Sequence, residues 1–351
     1  YTRLPEHMFA RQQPVPVAAP SGLVLNTALA DELGISFGED WPEFIAGNQV
    51  PMGADPIAQA YAGHQFGHWN PQLGDGRAVL LGEVTGAFGH VDVQLKGAGR
   101  TPWSRGGDGR AWYGPVLREY LISESMHALG IPTTRALAAA ATGESILREP
   151  GPLPGAVICR TASSHIRVGT FQYFASREDI PALEALLDHA ITRHYPQAQN
   201  ADGFLGQAVA AQARLIAQWI GVGFIHGVMN TDNSHVGGLT IDYGPCAFMD
   251  QFNPDQVVSS SDHAGRYAYR QQPAIAHWNL SVLAQALLPI LDNEQERAVA
   301  LAQKAINTFP DQFLQANTQG MARKLGLQAI EEQDTGLVED LWQLMAEHTL
   351  D

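Results

Sequence analysis

The stretch HGVMNTDNSHVGGLTIDYG, residues 226 to 244, joins a short polar loop to a tripeptide that begins with an aspartate. Asn233 and Asp242 supply hard oxygen donors, which suit Mg²⁺ or Mn²⁺ beside a polyphosphate. Asp232 is the one carboxylate in the loop HGVMNTDN and is the candidate proton acceptor. The stretch therefore predicts a metal-dependent site that acts on a nucleotide.

The spacing of these residues resembles the catalytic loop and the DFG tripeptide of kinases. In this comparison Asn233 and Asp242 take the places of two metal ligands, whereas Val228 stands where small-molecule kinases have the catalytic aspartate. A valine side chain accepts no proton, so the usual kinase mechanism is lost at that position. Two interpretations stay open: a kinase-like fold that binds nucleotide without turnover, and an enzyme in which Asp232 replaces the base.

Upstream of this stretch, the chain predicts a glycine loop followed by an antiparallel hairpin. The segments are GDGRAVLLGEV (74–84), the turn-like TGAFG (85–89) and HVDVQLKG (90–97). Pro115 and Gly130 then mark the first residue and the C-terminal cap of a predicted helix. The segments TTRALAAAATGE and GAVICRTA predict two further strands, and this order is typical of a small nucleotide-binding lobe.

The rest of the chain divides at two changes of pattern. The first part mixes proline-rich loops with pieces such as LVLNTALADELGI and predicts a wrapping segment with a short helix. After about residue 162, apolar spacings of three and four predict helices at 181–195, 203–224 and 280–291.

We therefore predict an α+β, protein-kinase-like fold of two lobes, the first with an antiparallel sheet and one key helix, the second mainly helical. The predicted units are a wrapping segment (1–60), an N-terminal lobe (61–162) and a C-terminal lobe with the catalytic and metal-binding loops (163–351).

Two groups of residues in the first lobe are candidates for binding phosphate. Gly74 and Gly76 would let backbone amides approach a phosphate, and the guanidinium group of Arg77 would add positive charge. The alternative is that this segment is an ordinary tight turn. Lys96 ends the strand VDVQLK and Glu119 lies in the predicted helix. In kinases such a lysine contacts phosphates and is held by the helix glutamate, although both could be surface residues here.

A second GDGR sequence and a pair of arginines extend these candidates. Asp108 and Gly109 lie in glycine-rich chain before the predicted helix, which suits an anion, with a flexible loop as the alternative. Arg160 and Arg167 lie at the predicted junction of the lobes. Because the chain has 36 acidic and only 21 basic residues, clustered arginines favour a fixed anionic partner.

Composition excludes several classes of protein. A formal charge of −15 argues against general affinity for nucleic acid or an anionic membrane, and no apolar run predicts a membrane span. Cys159 and Cys246 are too few and too far apart for a disulfide framework, so we expect a reducing, cytoplasmic compartment. His64 and His68 have the spacing of helical zinc ligands, but flanking glycines and a missing glutamate favour structural histidines.

Five long motifs together resemble the selenoprotein O family, whose bacterial members carry no selenocysteine. They are YAGHQFGHWNPQLGDGRAVLLGE, VQLKGAGRTPWSRGGDGRA, LREYLISESMHALGIPTTRALA, RTASSHIRVGTFQYFA and HGVMNTDNSHVGGLTIDYGPCAFMD. The resemblance implies a kinase-like fold and AMPylation, the transfer of AMP from ATP to Ser, Thr or Tyr hydroxyls of proteins.

The resemblance also implies roles for individual residues. Asp232 would accept the proton, and Asn233 and Asp242 would hold Mg²⁺ or Mn²⁺. Lys96 would bind phosphate and pair with Glu119. The residues implied to bind ATP are Gly74, Gly76, Arg77, Lys96, Asp108, Gly109, Arg160, Arg167 and Asp242.

In this family the nucleotide lies inverted relative to a kinase, so that pyrophosphate is the leaving group. Its β and γ oxygens then gain charge and require fixed cations such as Lys96, Arg160 and Arg167. The alternatives are γ-phosphoryl transfer by a protein or small-molecule kinase, uridylyl transfer from UTP, and a non-catalytic nucleotide-binding scaffold. Retention of Asp232, Asn233 and Asp242 favours an enzyme.

Overall fold

The computed structural model of the protein describes residues 1–86, 89–331 and 334–350. The strands are β1 (Phe9–Arg11), β2 (Ser21–Leu25), β3 (Ile57–Gln59), β4 (Gly63–Gln65), β5 (His68–Asn70), β6 (Ala78–Gly86), β7 (Gly89–Lys96), β8 (Ala111–Trp112), β9 (Arg135–Arg148), β10 (Gly151–Ala162), β11 (Phe224–Ile225) and β12 (Ala247–Phe248). The helices are α1 (Thr27–Leu33), α2 (Trp41–Ile45), α3 (Tyr113–Ala128), α4 (Val168–Ala175), α5 (Ile180–His194), α6 (Ala201–Gly221), α7 (Gln272–Leu291), α8 (Gln295–Ile306), α9 (Phe309–Leu325) and α10 (Thr335–His348). Short 3-10 helices lie at Glu6–Met8, Thr231–Asn233 and Tyr269–Gln271.

One antiparallel sheet organises the first half of the chain. Its strands lie in the order β1-β3-β6-β7-β10-β9-β2, and β8 pairs with β10. The predicted hairpin is confirmed as β6 and β7, and the two later predicted strands are confirmed as β9 and β10. The turn predicted at 85–89 includes residues 87 and 88, which lie outside the described residues. Sheet and helices together make the protein an α+β protein.

The first sixty residues contribute more to this sheet than the sequence predicts. The short helix expected there is confirmed as α1, whose N-cap Asn26 accepts a hydrogen bond from the backbone amide of Leu29. Strands β1, β2 and β3 were not predicted, because they have only three to five residues and lack the alternation that marks a strand. They form the two edges of the sheet, so this segment is a structural part of it.

Cross-strand pairing sorts the side chains of the sheet onto two faces. Arg160 pairs with Gln94 and Ile158 pairs with Lys96, so these four side chains share one face. Leu95 and the other residues that alternate with them share the opposite face, where they pack on apolar residues of α1 and α2. The polar face therefore remains available to hold a site.

Helix α3 covers the polar face of the sheet. It starts at Tyr113, two residues before the predicted first residue Pro115, and Gly130 ends it in a left-handed conformation with φ 74°. Val116 packs against the sheet, and Glu119, one turn later, is also buried. The helix therefore carries an acidic side chain toward the sheet.

The helices of the second half form the largest core cluster. The predicted helices are confirmed as α5, α6 and α7, and α7 begins at Gln272, eight residues earlier than expected. Tyr269–Leu291 is long and apolar enough, by length and composition, to cross a membrane, with a mean hydropathy of 1.4. Leu280, Leu283 and Leu287 of this segment are buried in the core, and α7 packs on α4, α6 and α8.

Candidate active site

A pocket of about 520 Å³ lies between the polar face of the sheet, helix α3 and residues 228–245. It brings together sequence-predicted residues that are as much as 168 positions apart, from Gly74 to Asp242. The predicted residues that line it are Gly74, Gly76, Arg77, Lys96, Asp108, Gly109, Glu119, Arg160, Arg167, Asn233 and Asp242. Among the residues that the structure describes, Asp232 is the predicted site residue that does not line the pocket.

Two cations from the sheet meet two carboxylates at the floor of the pocket. The Lys96 ammonium donates to Glu119 Oε2 at 2.6 Å and to Asp242 Oδ1 at 2.6 Å. The Arg160 guanidinium donates to Glu119 Oε1 at 3.0 Å and to the same Asp242 oxygen at 2.9 Å. Its Nε donates to Gln94, the residue directly across the strand pair, at 2.8 Å. The pairing of β7 with β10 thus places both cations on one carboxylate.

A third cation, Arg167, reaches the same carboxylate from outside the sheet. Its side chain is only 1% exposed, and it lies 3.6 Å from Asp242 Oδ2 and 3.8 Å from Asp75 Oδ1. One of its nitrogens donates to the carbonyl oxygen of His165 at 2.9 Å, and its guanidinium carbon stands 4.5 Å from the centre of the Tyr61 ring. Tyr61 opens the motif YAGHQFGHWNPQLGDGRAVLLGE, but the sequence does not predict its contact with Arg167, because this contact depends on the fold.

The carboxylates of Asp242 and Glu119 stay ionised at neutral pH. Burial alone would raise the pKa of Asp242, but Lys96, Arg160 and Arg167 hold that pKa well below its usual range. Lys96 and Arg160 likewise lower the pKa of Glu119 despite its burial. Such a buried set of ions is balanced by its own opposite charges, and removing one member leaves the others uncompensated.

Local geometry holds Asp242 in this position. Asp242 has a φ of 65°, an uncommon left-handed conformation for a residue other than glycine. Just before it, the backbone amide of Thr134 donates to Thr240 at 3.0 Å, and His226 Nε2 donates to the carbonyl oxygen of Ile241 at 2.9 Å. Arg118 of α3 donates to the carbonyl oxygen of Gly244 at 3.1 Å. The aspartate is therefore fixed by contacts on both sides.

The two GDGR loops support each other across the pocket entrance. Ser104 donates to the carbonyl oxygen of Gly76 at 2.5 Å, and Thr101 donates to that of Asp75 at 2.7 Å. A side chain at Gly74, which has a φ of 73°, would overlap the ring of Trp103. The packing of one loop on the other therefore requires glycine in the first loop, whatever the ligand.

An ion pair also stabilises the loop that contains the second GDGR sequence. Asp108 accepts hydrogen bonds from Arg148 at 2.7 and 3.1 Å and from the backbone amide of Arg110 at 2.9 Å. Arg148 lies on β9, so this pair ties the loop to the sheet. Arg148 lies outside the sequence motifs, and its pairing with Asp108 could not be predicted, because the two residues are 40 positions apart along the chain.

Replacing Gly109 by alanine tests this loop. The residue has a φ of 68°, and an added Cβ would overlap the carbonyl group of Gly99. Gly106 has a φ of 82° in the same loop, with nothing within 4 Å of an added Cβ. We expect Gly106→Ala to lower the free energy of unfolding by about 1–2 kcal/mol through backbone strain alone.

Gly109→Ala should cost more than this control, by about 1–3 kcal/mol, because the overlap adds to the strain. Chemical denaturation of the three proteins measures both losses. Equal losses in Gly106→Ala and Gly109→Ala would show that the close approach of Gly109 to Gly99 has no energetic importance.

Asp232 lies beside the pocket, beneath strand β4, and is 8% exposed. Its Oδ2 accepts a hydrogen bond from Gln65 Nε2 at 3.0 Å, whereas its Oδ1 is buried without a hydrogen-bond partner in the described part of the chain. Burial raises the pKa of Asp232 to about 6, with the hydrogen bond from Gln65 acting in the opposite direction. One oxygen of this carboxylate is thus held and the other is unsatisfied.

Asn233 and Asp242 both face the pocket and both offer oxygen atoms. Asn233 Nδ2 donates to the carbonyl oxygen of Val228 at 3.0 Å, which commits the nitrogen end of the amide and leaves the oxygen end for a ligand. Within the described ranges, no three His, Cys, Asp or Glu side chains form a group that could hold a metal ion. Two oxygen donors do not complete a metal site by themselves, so a hard cation held here would need further oxygens from phosphate and water.

His64 and His68 lie on the paired strands β4 and β5, so they do not share a helix. His64 Nδ1 is hydrogen-bonded to Gln172 Nε2 at 2.8 Å, and its ring lies 5.0 Å from that of Trp69. Burial lowers the pKa of His64, which favours a neutral imidazole. These contacts give His64 a structural role.

Comparison with known proteins extends the geometric evidence. A 58% identical relative from Jannaschia sp. (strain CCS1), named protein nucleotidyltransferase YdiU, covers 98% of this chain, which matches 72% of the relative. Proteins of the same name from Methylorubrum extorquens (strain PA1) and Bradyrhizobium diazoefficiens are 56% identical over the whole chain, matching 72% and 73% of their lengths. The family model described as protein adenylyltransferase SelO matches residues 2–351.

The fold and the pocket define an α+β protein with a deep, charged site whose cations suit a polyphosphate. The chain belongs to the SelO family of nucleotidyltransferases, because the family model spans nearly all of it. The family resemblance drawn from the five sequence motifs is thereby confirmed.

Proposed function

We propose that this protein transfers AMP from ATP to Ser, Thr or Tyr hydroxyls of proteins and releases pyrophosphate. The observation that carries the proposal is the convergence of Lys96, Arg160 and Arg167 on Asp242 at the floor of the pocket. Three fixed cations in a buried site suit the β- and γ-phosphates of a nucleotide that lies inverted relative to a kinase. The name of the family model supports AMP as the transferred group.

The residues of the chain divide the work of this reaction. Lys96, Arg160 and Arg167 bind the phosphates and stabilise the charge that grows on the leaving pyrophosphate. Glu119 orients Lys96 and Arg160. The acceptor hydroxyl forms its bond to the α-phosphorus as the bond to the β-phosphate oxygen breaks, and its proton passes to Asp232.

Asn233 and Asp242 would hold Mg²⁺ or Mn²⁺. The ion would neutralise phosphate charge and orient the triphosphate. This assignment agrees with the oxygen donors that both residues present to the pocket. Gly74, Gly76, Arg77, Asp108 and Gly109 complete the proposed ATP site at the pocket entrance.

We further propose that the sheet and the helices correspond to the two lobes of a kinase-like fold. The main sheet ends at Ala162 and helix α4 begins at Val168, which supports a boundary near residues 162 and 163. Residues 1–60 then form the segment that completes the edges of the N-terminal lobe. Cys159 and Cys246 are buried free thiols, which supports a reducing, cytoplasmic compartment.

The position of the transferred label tests the reaction. The protein is incubated with Mg²⁺ or Mn²⁺, a mixture of acceptor proteins and ATP labelled at either the α- or the γ-phosphate. We expect covalent label on protein from α-labelled ATP and none from γ-labelled ATP, because pyrophosphate leaves. Label from the γ position alone would instead assign a kinase, and tight ATP binding without any label would assign a scaffold.

The same assay with α-labelled UTP tests the base, since the relatives' name specifies only a nucleotide. Transfer from UTP that exceeds transfer from ATP at equal concentration would replace adenylyl by uridylyl transfer and keep the same site.

A further inference from the structure

The hairpin formed by β4 and β5 is hydrogen-bonded to the loop that precedes Asn233. The backbone amide of His64 donates to Thr231 Oγ1 at 2.7 Å, and that of Phe66 donates to Asn230 Oδ1 at 3.1 Å. Phe66 has a φ of 51°, so the chain reverses direction directly after β4 while both amides stay on the loop. Strand β4 therefore lies across this loop at a fixed register.

Between these two anchors, Gln65 points its side chain at Asp232. Its Nε2 donates to Asp232 Oδ2 at 3.0 Å, and its Oε1 accepts from Asn70 Nδ2 at 3.4 Å. The contact with Asn70 favours the orientation of the amide that presents the nitrogen to the carboxylate. The remaining oxygen, Asp232 Oδ1, is buried and lacks a hydrogen-bond partner among the described residues.

A buried carboxylate oxygen without a partner is costly, so Oδ1 can accept a hydrogen bond that the described residues do not supply. Gly63 also bears on this oxygen, because a Cβ there would lie 2.7 Å from Asp232 Oδ1. Asp232 Oδ1 therefore packs directly against the backbone of Gly63 in β4, and any side chain at position 63 would collide with it. With Oδ2 held by Gln65, the orientation of the carboxylate is defined by its surroundings.

We propose that Gln65 is a positioning residue for the transfer reaction, holding Asp232 Oδ2 and thereby fixing the carboxylate that accepts the proton of the acceptor hydroxyl. The inference rests on the proposed function. In the reaction, the hydroxyl oxygen bonds to the α-phosphorus, pyrophosphate departs, and the hydroxyl proton is transferred to the Asp232 carboxylate. A neutral amide suits this task because it orients the carboxylate without cancelling its charge, as a lysine or arginine would.

The decisive variant is Gln65→Met, which keeps the length of the side chain and removes the donor. We expect kcat for AMP transfer from α-labelled ATP to fall about 10- to 100-fold, the range for a hydrogen bond to a charged group. The KM for ATP should stay within about twofold, because Gln65 does not line the pocket. His68→Ala changes an exposed residue of the same hairpin and should retain wild-type kcat.

A double-mutant cycle with Asp232→Asn separates positioning from a structural effect. If Gln65 acts through Asp232, Gln65→Met should reduce the residual rate less than about twofold in the Asp232→Asn protein. Wild-type kcat in Gln65→Met, or an equal loss in both backgrounds, would overturn the inference while leaving AMP transfer intact. Absence of AMP transfer in the wild-type protein would contradict the proposed function, and the inference would fall with it.

Discussion

Asp242→Ala is expected to abolish AMP transfer, with a loss of at least about 10³-fold in the rate of protein labelling from α-labelled ATP. The substitution removes one of the two proposed metal ligands and the shared partner of Lys96, Arg160 and Arg167. Because it leaves buried cations without their counter-charge, it should also lower the free energy of unfolding by about 3–5 kcal/mol.

Loss of folding must be separated from loss of chemistry in this variant. Asp242→Asn keeps the shape of the side chain and one carbonyl oxygen for Lys96 and Arg160, so we expect it to unfold at a higher temperature than Asp242→Ala. It should nevertheless be inactive, because an amide oxygen replaces a charged ligand. Thermal unfolding and labelling of both variants measure the two effects. Full labelling by either folded variant would show that the metal site lies elsewhere.

Asp232→Ala is expected to reduce kcat by about 10²- to 10⁴-fold, the usual contribution of a proton acceptor. ATP binding should be nearly unchanged, because Asp232 does not line the pocket. A single-turnover assay with saturating ATP measures the rate, and equilibrium titration with ATP measures the affinity.

Asp255→Ala is the matched control for this variant, since it removes an aspartate that is 60% exposed and paired only at the surface with Arg270. It should retain full activity and stability. If a folded Asp232→Ala protein matched this control in rate, the acceptor hydroxyl would have to lose its proton to water or phosphate, and the assignment of Asp232 would be wrong.

The sequence predicted those contacts that follow from the order of elements. Lys96 at the end of a strand and Glu119 in the next helix meet because the helix folds back on the sheet that the strand belongs to. The stretch HGVMNTDNSHVGGLTIDYG likewise predicted that Asn233 and Asp242 would belong to one site, and both line the pocket. Both predictions depend on the spacing of residues within a short supersecondary unit, and this spacing is visible in the sequence itself.

The contacts that the sequence did not predict join distant segments. Tyr61 lies below Arg167, and Gln65 reaches Asp232 across 167 positions. Both residues lie in the motif YAGHQFGHWNPQLGDGRAVLLGE, but a tyrosine or a glutamine does not by itself indicate its partner, because these contacts depend on the fold. The burial of Asp232 beneath β4 was also unforeseen, because the hairpin that covers it has strands of only three residues.

The floor of the pocket has a consequence for selectivity. The cations proposed to bind the nucleotide, Lys96, Arg160 and Arg167, are already paired with carboxylates of the protein. These carboxylates belong to Asp75, Glu119 and Asp242. An incoming anion must therefore replace the protein's own carboxylates as the partners of these cations, so the carboxylates compete with the ligand for the same positive charges. We expect a triphosphate to compete for these cations better than inorganic phosphate does, because it carries more charged oxygens and three cations converge on Asp242.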